Sequence, residues 1–430
     1  MKKAIGPVVC LIMALPATAQ EFAALGNFSL EDLMQVEVTS VSKKPQQMAH
    51  VAAAVHVITA EDIRLSGAQT IPEALRLAPG VDATRISGNR WAVSIRGSAF
   101  RLANKLLVLV DGRNAYTPAF SGVIWEDFLF PLEDIERIEV LRGPAATVWG
   151  TNGVNGVINI ITKSAAATQG TQLVAGVGNV QGAYARALTG GQDGSGNLFY
   201  RVYATAQNAR EQQSLTGANG QDNFRQQSAG FRIDGYRNDG SHWNVSGDFF
   251  DMRSSVLSTL LEPGIVLPNP DLELHHGATL RMRYETPLAD GSSLQWQAAY
   301  ANSHITMASL AADRRDTLDF DAQHRFKWGE RHDIVWGGDY RLTDDTMPVS
   351  QLVMMDQPSR RTASYGVFGQ DEISLADAWR LTVGLRMDHN EFTGWEAQPD
   401  ARLAWNLAPN HTVWGSMSKV ARAPSRGEHG

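Results

Sequence analysis

Reactive side chains are plentiful in this 430-residue chain, but their spacing assembles no catalytic set. Ser, His and Asp occur throughout, yet no Gly-x-Ser-x-Gly elbow presents a nucleophile. The glycine-rich run from Gly143 to Gly156 lacks the Gly-x-x-x-x-Gly-Lys-Ser/Thr spacing that cradles phosphates. The adjacent His275-His276 read as loop residues that could touch a metal chelate, or simply as a solvated pair. The chemistry left is binding. Val36-Glu37-Val38-Thr39-Ser40-Val41 alternates apolar and polar residues like a lone strand, and Lys43-Lys44-Pro45-Gln46-Gln47 follows with no turn. Such a strand is unstable alone, so it pairs internally or offers its edge to another chain. An ordinary linker is the bland reading.

The elements that must position such groups begin behind a leader. Lys2-Lys3, the apolar run Ile5 to Leu15, Pro16 and Ala17-Thr18-Ala19 predict a removable signal peptide over 1–19 and export from a bacterial cytoplasm. The single cysteine, Cys10, leaves with it, so the mature chain has no disulfide, thiolate metal site or Cys nucleophile. Losing Lys2 and Lys3 takes the formal charge from -7 to -9, which argues against a nucleic-acid partner. Hydrophobic residues at 43% and charged residues at 19% exclude a largely disordered chain. No stretch of 18 uninterrupted apolar residues exists, so no helical membrane span is expected. The length alone suggests two or three domains.

Residues 20–50 hold the lone strand and a linker, and 51–165 read as a compact α+β unit. Val55 to Thr59, Ala92 to Arg96, Leu106 to Val110 and Ile135 to Leu141 are predicted strands. Thr59-Ala60-Glu61-Asp62 starts a helix that Gly67 ends, and Thr70-Ile71-Pro72-Glu73 starts a second that Pro79-Gly80 stops. Asp111-Gly112 marks a turn.

The segment from Arg142 to Lys163 then carries a family resemblance. Arg142-Gly143-Pro144, Trp149-Gly150 and Gly156-Val157-Ile158-Asn159-Ile160-Ile161-Thr162-Lys163 resemble the end of the plug domain of TonB-dependent outer-membrane receptors. Val57 to Ile63, Pro72 to Leu75, Ile95-Arg96-Gly97, Leu109 to Gly112 and Ile135 to Val140 match the plug in the same order. Asn155 departs from the glycine many members carry. By the same resemblance, Val36, Glu37, Val38, Thr39, Ser40 and Val41 correspond to the TonB box, which the periplasmic protein TonB captures by strand addition.

From 166 to 430 the chain repeats alternating segments of about ten residues, the length of a membrane β-strand. Leu381, Val383, Leu385 and Met387 share one face, and Arg380, Thr382, Arg386 and Asp388 the other. Leu280, Met282 and Tyr284 likewise oppose Thr279, Arg281, Arg283 and Glu285. Lipid against one face and a wet lumen against the other explain this, although a soluble β-sandwich alternates similarly. Thirteen strands are expected, starting near Thr171, Ala183, Leu198, Arg225, Trp243, Thr279, Leu294, Thr317, Asp333, Thr362, Trp379, Asp400 and Thr412, with Leu260 to His276 as a long outer link. Arg422-Ala423-Pro424 with Glu428 resembles an element late in such barrels.

The fold class expected is therefore a β-rich membrane protein, with an α+β plug inside a transmembrane antiparallel β-barrel of the outer membrane. The resemblance implies a transporter of ferric siderophores or similar iron complexes, without cofactor or enzymatic activity, energised by TonB and its inner-membrane complex. Cobalamin, haem, another metal chelate or a carbohydrate are alternative cargoes. A signalling receptor would need an extra domain before the box, and a plug excludes an open porin. Arg90, Trp91, Tyr116, Phe120 and Trp125 supply cationic and aromatic groups for a chelate at the outer end of the plug. Arg137, Glu139 and Arg142 are expected to pair with lumen charges. Thirteen strands against the family's roughly twenty-two predict a partial barrel, from a fragment or truncated product.

Overall fold

The computed structural model describes residues 37–97, 100–144, 146–179, 181–213, 217, 219–262, 265–307, 311–348, 355–408 and 411–429. The leader and Val36 lie outside them. Strands β1 (Glu37–Val38) and β2 (Gln46–Gln47) pair antiparallel, Val38 opposite Gln46. The expectation of a strand without a turn is corrected here, because residues 39–44 reverse the chain. The Lys43 N–H donates to the Thr39 carbonyl at 3.0 Å, with Lys43 at φ 54°. Left-handed backbone usually shows in sequence as Gly or Asn, and lysine carries no such mark.

The plug follows, and its local signals are satisfied. After β3 (Val55–Thr59), Thr59 caps α1 (Ala60–Ser66) by accepting from the Asp62 N–H, while the Asp62 carboxylate accepts from the Thr59 N–H at 2.9 Å. Gly67 closes that helix at φ 69°. Thr70 caps α2 (Ile71–Leu75), with Pro72 in the first turn, where its missing N–H costs nothing. Strands β4 (Val81–Ser87) and β5 (Arg90–Ile95) form a separate hairpin. Then come β6 (Leu106–Val110), β7 (Arg113–Asn114), β8 (Ile135–Arg142), α3 (Ala146–Trp149) and β9 (Gly156–Thr162). One sheet has the order β3-β8-β9-β6-β7, with β6 and β9 parallel. Its centre is the β-branched run of β9, where Val157, Ile158 and Ile160 are fully buried. Ile58, Leu75, Ile138, Val140, Trp91 and Trp125 complete one core with Ile158 and Ile160.

Among the described residues, thirteen antiparallel strands follow, joined in sequence order. They are β10 (Gly170–Gly178), β11 (Gly182–Gln192), β12 (Leu198–Ala209), β13 (Phe224–Tyr236), β14 (His242–Glu262), β15 (Ile265–Pro287) and β16 (Ser293–Met307). Then follow β17 (Ala311–Trp328), β18 (His332–Thr346), β19 (Ser359–Ala376), β20 (Trp379–Asn390), β21 (Gly394–Ala408) and β22 (His411–Ser418). Their polarity is reversed relative to a soluble sheet. Leu280 is 50% exposed beside Arg281 at 5%, and Leu385 is 48% exposed beside Arg386 at 2%. Leucines facing out and arginines facing the plug fit a barrel in lipid and exclude the water-soluble sandwich. Among the described residues β10 and β22 each pair on one side only, so the sheet is open.

One expectation fails on β15. Residues 260–276 are not a long link; β14 and β15 continue as one hairpin paired out to Glu262 opposite Ile265. At 21 and 23 residues these strands are about twice the span a bilayer needs, so the hairpin rises past the apolar band. His275 and His276 are strand residues. His275 points inward and is fully buried, while His276 stacks edge-on against His304 across the strand pair.

Candidate functional site

Of the contacts that join plug to barrel among the described residues, two clusters lie one toward each end. Short turns, such as residues 288–292 and 329–331, mark the inner end of the barrel. The β1–β2 hairpin sits at that end. Val38 and Val41 bury into a core with Leu107, Leu109, Leu141 and Val157. The carboxylate of Glu139, on β8, accepts from the N–H groups of Thr39 at 2.9 Å and Ser40 at 2.8 Å, and from Arg137 Nε at 3.0 Å. Trp149 Nε1 donates to the Ser40 carbonyl at 2.6 Å. The barrel holds the same turn. Lys43 Nζ pairs with Asp321 of β17, and Lys44 Nζ lies 2.8 Å from Asp333 of β18 and 3.1 Å from Glu372 of β19. Arg402 of β21 donates to the Val41 carbonyl at 3.2 Å. Charge-assisted bonds of this kind are roughly twice as strong as neutral ones. The expectation that Arg137, Glu139 and Arg142 pair with lumen charges is corrected: Arg137 pairs with Glu136 and Glu139, and Arg142 donates to the Pro79 carbonyl at 3.3 Å, all within the plug. Glu139 is claimed by the hairpin, whose Thr39 and Ser40 N–H groups donate to it.

The second cluster lies toward the other end. Glu273, fully buried on β15, is 2.6 Å from both Arg90 and Arg101 of the plug. His275 Nδ1 is 2.6 Å from the Asp127 carboxylate and its Nε2 is 3.1 Å from Glu273. Arg101 Nε also lies 3.3 Å from Glu126. Burial pushes the Glu126 carboxyl up, and Arg101 offsets this only in part. Sequence reasoning missed Arg101, Glu126, Asp127 and Glu273; the polar positions two apart at Glu273 and His275 are the trace they left.

The five residues expected to meet a ligand are not brought together as one surface. Trp91 and Trp125 are core residues, Trp91 lying between Arg76 at 5.1 Å and Arg85 at 4.8 Å. Tyr116 is buried beside Leu109. Phe120 is half-buried against Ala119, Met347 and Met355, and Arg90 is half-buried in its pair with Glu273.

The Arg142 to Asn159 motif docks the plug on the wall. Gly150, at φ 88°, brings its backbone against the Arg386 guanidinium, where a Cβ would lie 3.0 Å from Nη2. Gly143 turns at φ 138° ahead of Pro144, and Asn159 is buried with its amide 3.5 Å from Thr39 Oγ1. Asn152 Oδ1 accepts from the Ala423 N–H at 2.9 Å, and Arg422 pairs with Glu428 at 2.7 Å. The whole arrangement grips an N-terminal hairpin, a plug and a wall in series.

That series agrees with what the chain matches. Residues 47–157 match the TonB-dependent receptor plug domain, and residues 163–428 the TonB-dependent receptor-like beta-barrel. The chain belongs to the TonB-dependent receptor family. It is 25% identical to the iron-regulated outer membrane virulence protein of Vibrio cholerae, over 90% of this chain and 60% of that protein. It is 25% identical to the ferric enterobactin receptor of Pseudomonas aeruginosa, over 97% of this chain and 65% of that one. The vitamin B12 transporter BtuB of Vibrio cholerae is 24% identical, with 90% and 62% covered. Among solved structures, the siderophore receptor PirA of Acinetobacter baumannii shares the fold, with a TM-score of 0.70, 20% identity, and 87% and 62% of the two chains covered. This TonB-dependent receptor thus spans about 60% of the length of curated relatives. Its outward-facing apolar strands and its family place it in the cell outer membrane of a Gram-negative bacterium.

Proposed function

We propose that this chain serves active uptake of a ferric siderophore or similar iron complex, with energy supplied by TonB. The observation that carries this reading is the β1–β2 hairpin, tied to Glu139 of the central plug sheet and to three barrel acids at the short-turn end. A pull on that hairpin acts on the plug directly. Val36 to Val41 is the segment TonB captures, 20–50 the coupling region, 51–165 the plug and 166–430 the barrel. The names of the Vibrio and Pseudomonas relatives support an iron complex, and the BtuB relatives favour cobalamin as the second reading. Of the cationic and aromatic candidates, the half-buried Arg90 and Phe120 keep surface for a ligand, whereas Trp91, Tyr116 and Trp125 are buried.

Capture of the chain by the TonB C-terminal domain tests the coupling. Val38→Pro removes a strand N–H and should abolish capture; capture at the unaltered level would sink the proposal. Titrating ferric siderophores, cobalamin and haem against the protein, read by tryptophan fluorescence, then separates the cargoes.

A further inference from the structure

The outward face of the barrel changes character along each strand. On β14 it carries Trp243, Val245, Gly247 and Phe249, and then Asp251 and Arg253. Opposite on β13 stand Gly235, Ile233, Phe231, Ala229, Gln227 and Arg225, so that Arg225 faces Arg253. The ten residue steps from Trp243 to Arg253 cover about 34 Å of strand, or about 26 Å of height at a tilt near 40°. The apolar band of such barrels is about 25 Å tall. Trp243 lies beside the short turn at 237–241, so Arg253 emerges at the opposite, outer edge of the band.

Two exposed guanidinium groups directly opposed across a strand pair repel each other. Among the described residues no carboxylate lies within 4.0 Å of either. The groove around them adds Arg210 and one carboxylate, Glu211, and is walled on one side by the apolar Leu272. Asp251 sits one step nearer the band on the same face, opposite Gln227 and His276. The groove opens away from the plug, off any path through the lumen.

We infer that this groove binds the phosphate group of an outer-leaflet lipid headgroup. A phosphate between Arg225 and Arg253 replaces their repulsion with two forked, charge-assisted contacts, a geometry guanidinium suits and ammonium does not. Leu272 fits the apolar part of the same lipid. Position decides the source, because the site lies where headgroups meet the band.

The test uses the full chain folded in detergent micelles, with bound lipid counted by native mass spectrometry. The probes are a bis-phosphorylated glycolipid and its dephosphorylated form. The phosphorylated lipid should bind at least about tenfold more tightly, and Arg225→Ala with Arg253→Ala should erase that difference. If the alanine pair does not fold, Arg225→Lys with Arg253→Lys should reduce the difference severalfold. Arg361→Ala, on the same outward face but paired with Asp344 at 2.8 Å, should leave it intact. Equal binding of the two lipids, no effect of either double substitution, or an equal loss with Arg361→Ala overturns the site. Displacement of the lipid by an equal concentration of inorganic phosphate overturns the lipid assignment.

Discussion

Asp111 closes the turn after β6 at φ 48° and links three parts of the molecule. Its carboxylate accepts from the Thr162 N–H at 2.8 Å and hydroxyl at 2.9 Å, and from Arg281 of β15 at 2.9 Å. Burial by itself pushes this carboxyl up, but Arg281, Arg232 and the Thr162 donors outweigh it, and the net displacement is below the ordinary 3.8. A depressed carboxylate stabilises the folded state above its unfolded pKa, and that contribution fades as pH falls through the folded value. The urea midpoint of the chain should therefore drop below about pH 4, and Asp111→Asn should flatten that part of the curve while lowering stability at neutral pH. A variant with the parent's acid limb would refute the role. The turn itself was legible in Asp111-Gly112. Its partner Arg281 was not, because nothing in the sequence couples a loop to a strand 170 residues on.

At the scale of elements, the hairpin at 37–47 is held by geometry that only the fold supplies. Glu139 is fully buried, and its removal leaves the Thr39 and Ser40 N–H groups without an acceptor. Each unsatisfied buried donor costs about 1–3 kcal/mol. Glu139→Ala should loosen the hairpin and speed tryptic cleavage after Lys43, now nearly inaccessible in its ion pair; the next lysine, Lys44, precedes Pro45 and is not a tryptic site. Cleavage at the parent rate would show that the barrel acids hold the hairpin alone. Helix caps at Thr59 and Thr70 were readable because a cap is a local hydrogen bond across three residues. The reversal at Lys43 and the strand character of His275 were not. Both depend on contacts with Glu139, Asp127 or Glu273, far away in the chain.

Over the whole molecule, solvent inverts the usual rule of burial. The outward residues meet lipid and the inward ones meet a polar plug, so Leu385 and Arg386 exchange the environments a soluble sheet would give them. Leu385→Arg should cost about 2–4 kcal/mol near the bilayer midplane, read as a lower urea midpoint in lipid vesicles. Arg386→Ala should instead destabilise plug docking, because it leaves Asp339 and Asp388 without their shared cation. Equal tolerance of both changes would contradict the inside-out assignment.

The sequence by itself determined the two alternating faces of strands such as β15 and β20, the count of thirteen barrel strands and the ordered motifs of the plug. A period of two is written residue by residue, and so are caps and turns. Tertiary structure alone decided the partners: Glu139 with a hairpin about 100 residues away, Lys44 with Asp333 at a separation of 289, and Arg225 with Arg253 across a strand pair. It also sent Trp91 and Trp125 into a core instead of a ligand surface. Periodicity states which side a residue faces. Which group it meets there is set by register and docking, and these depend on the packing of the entire chain.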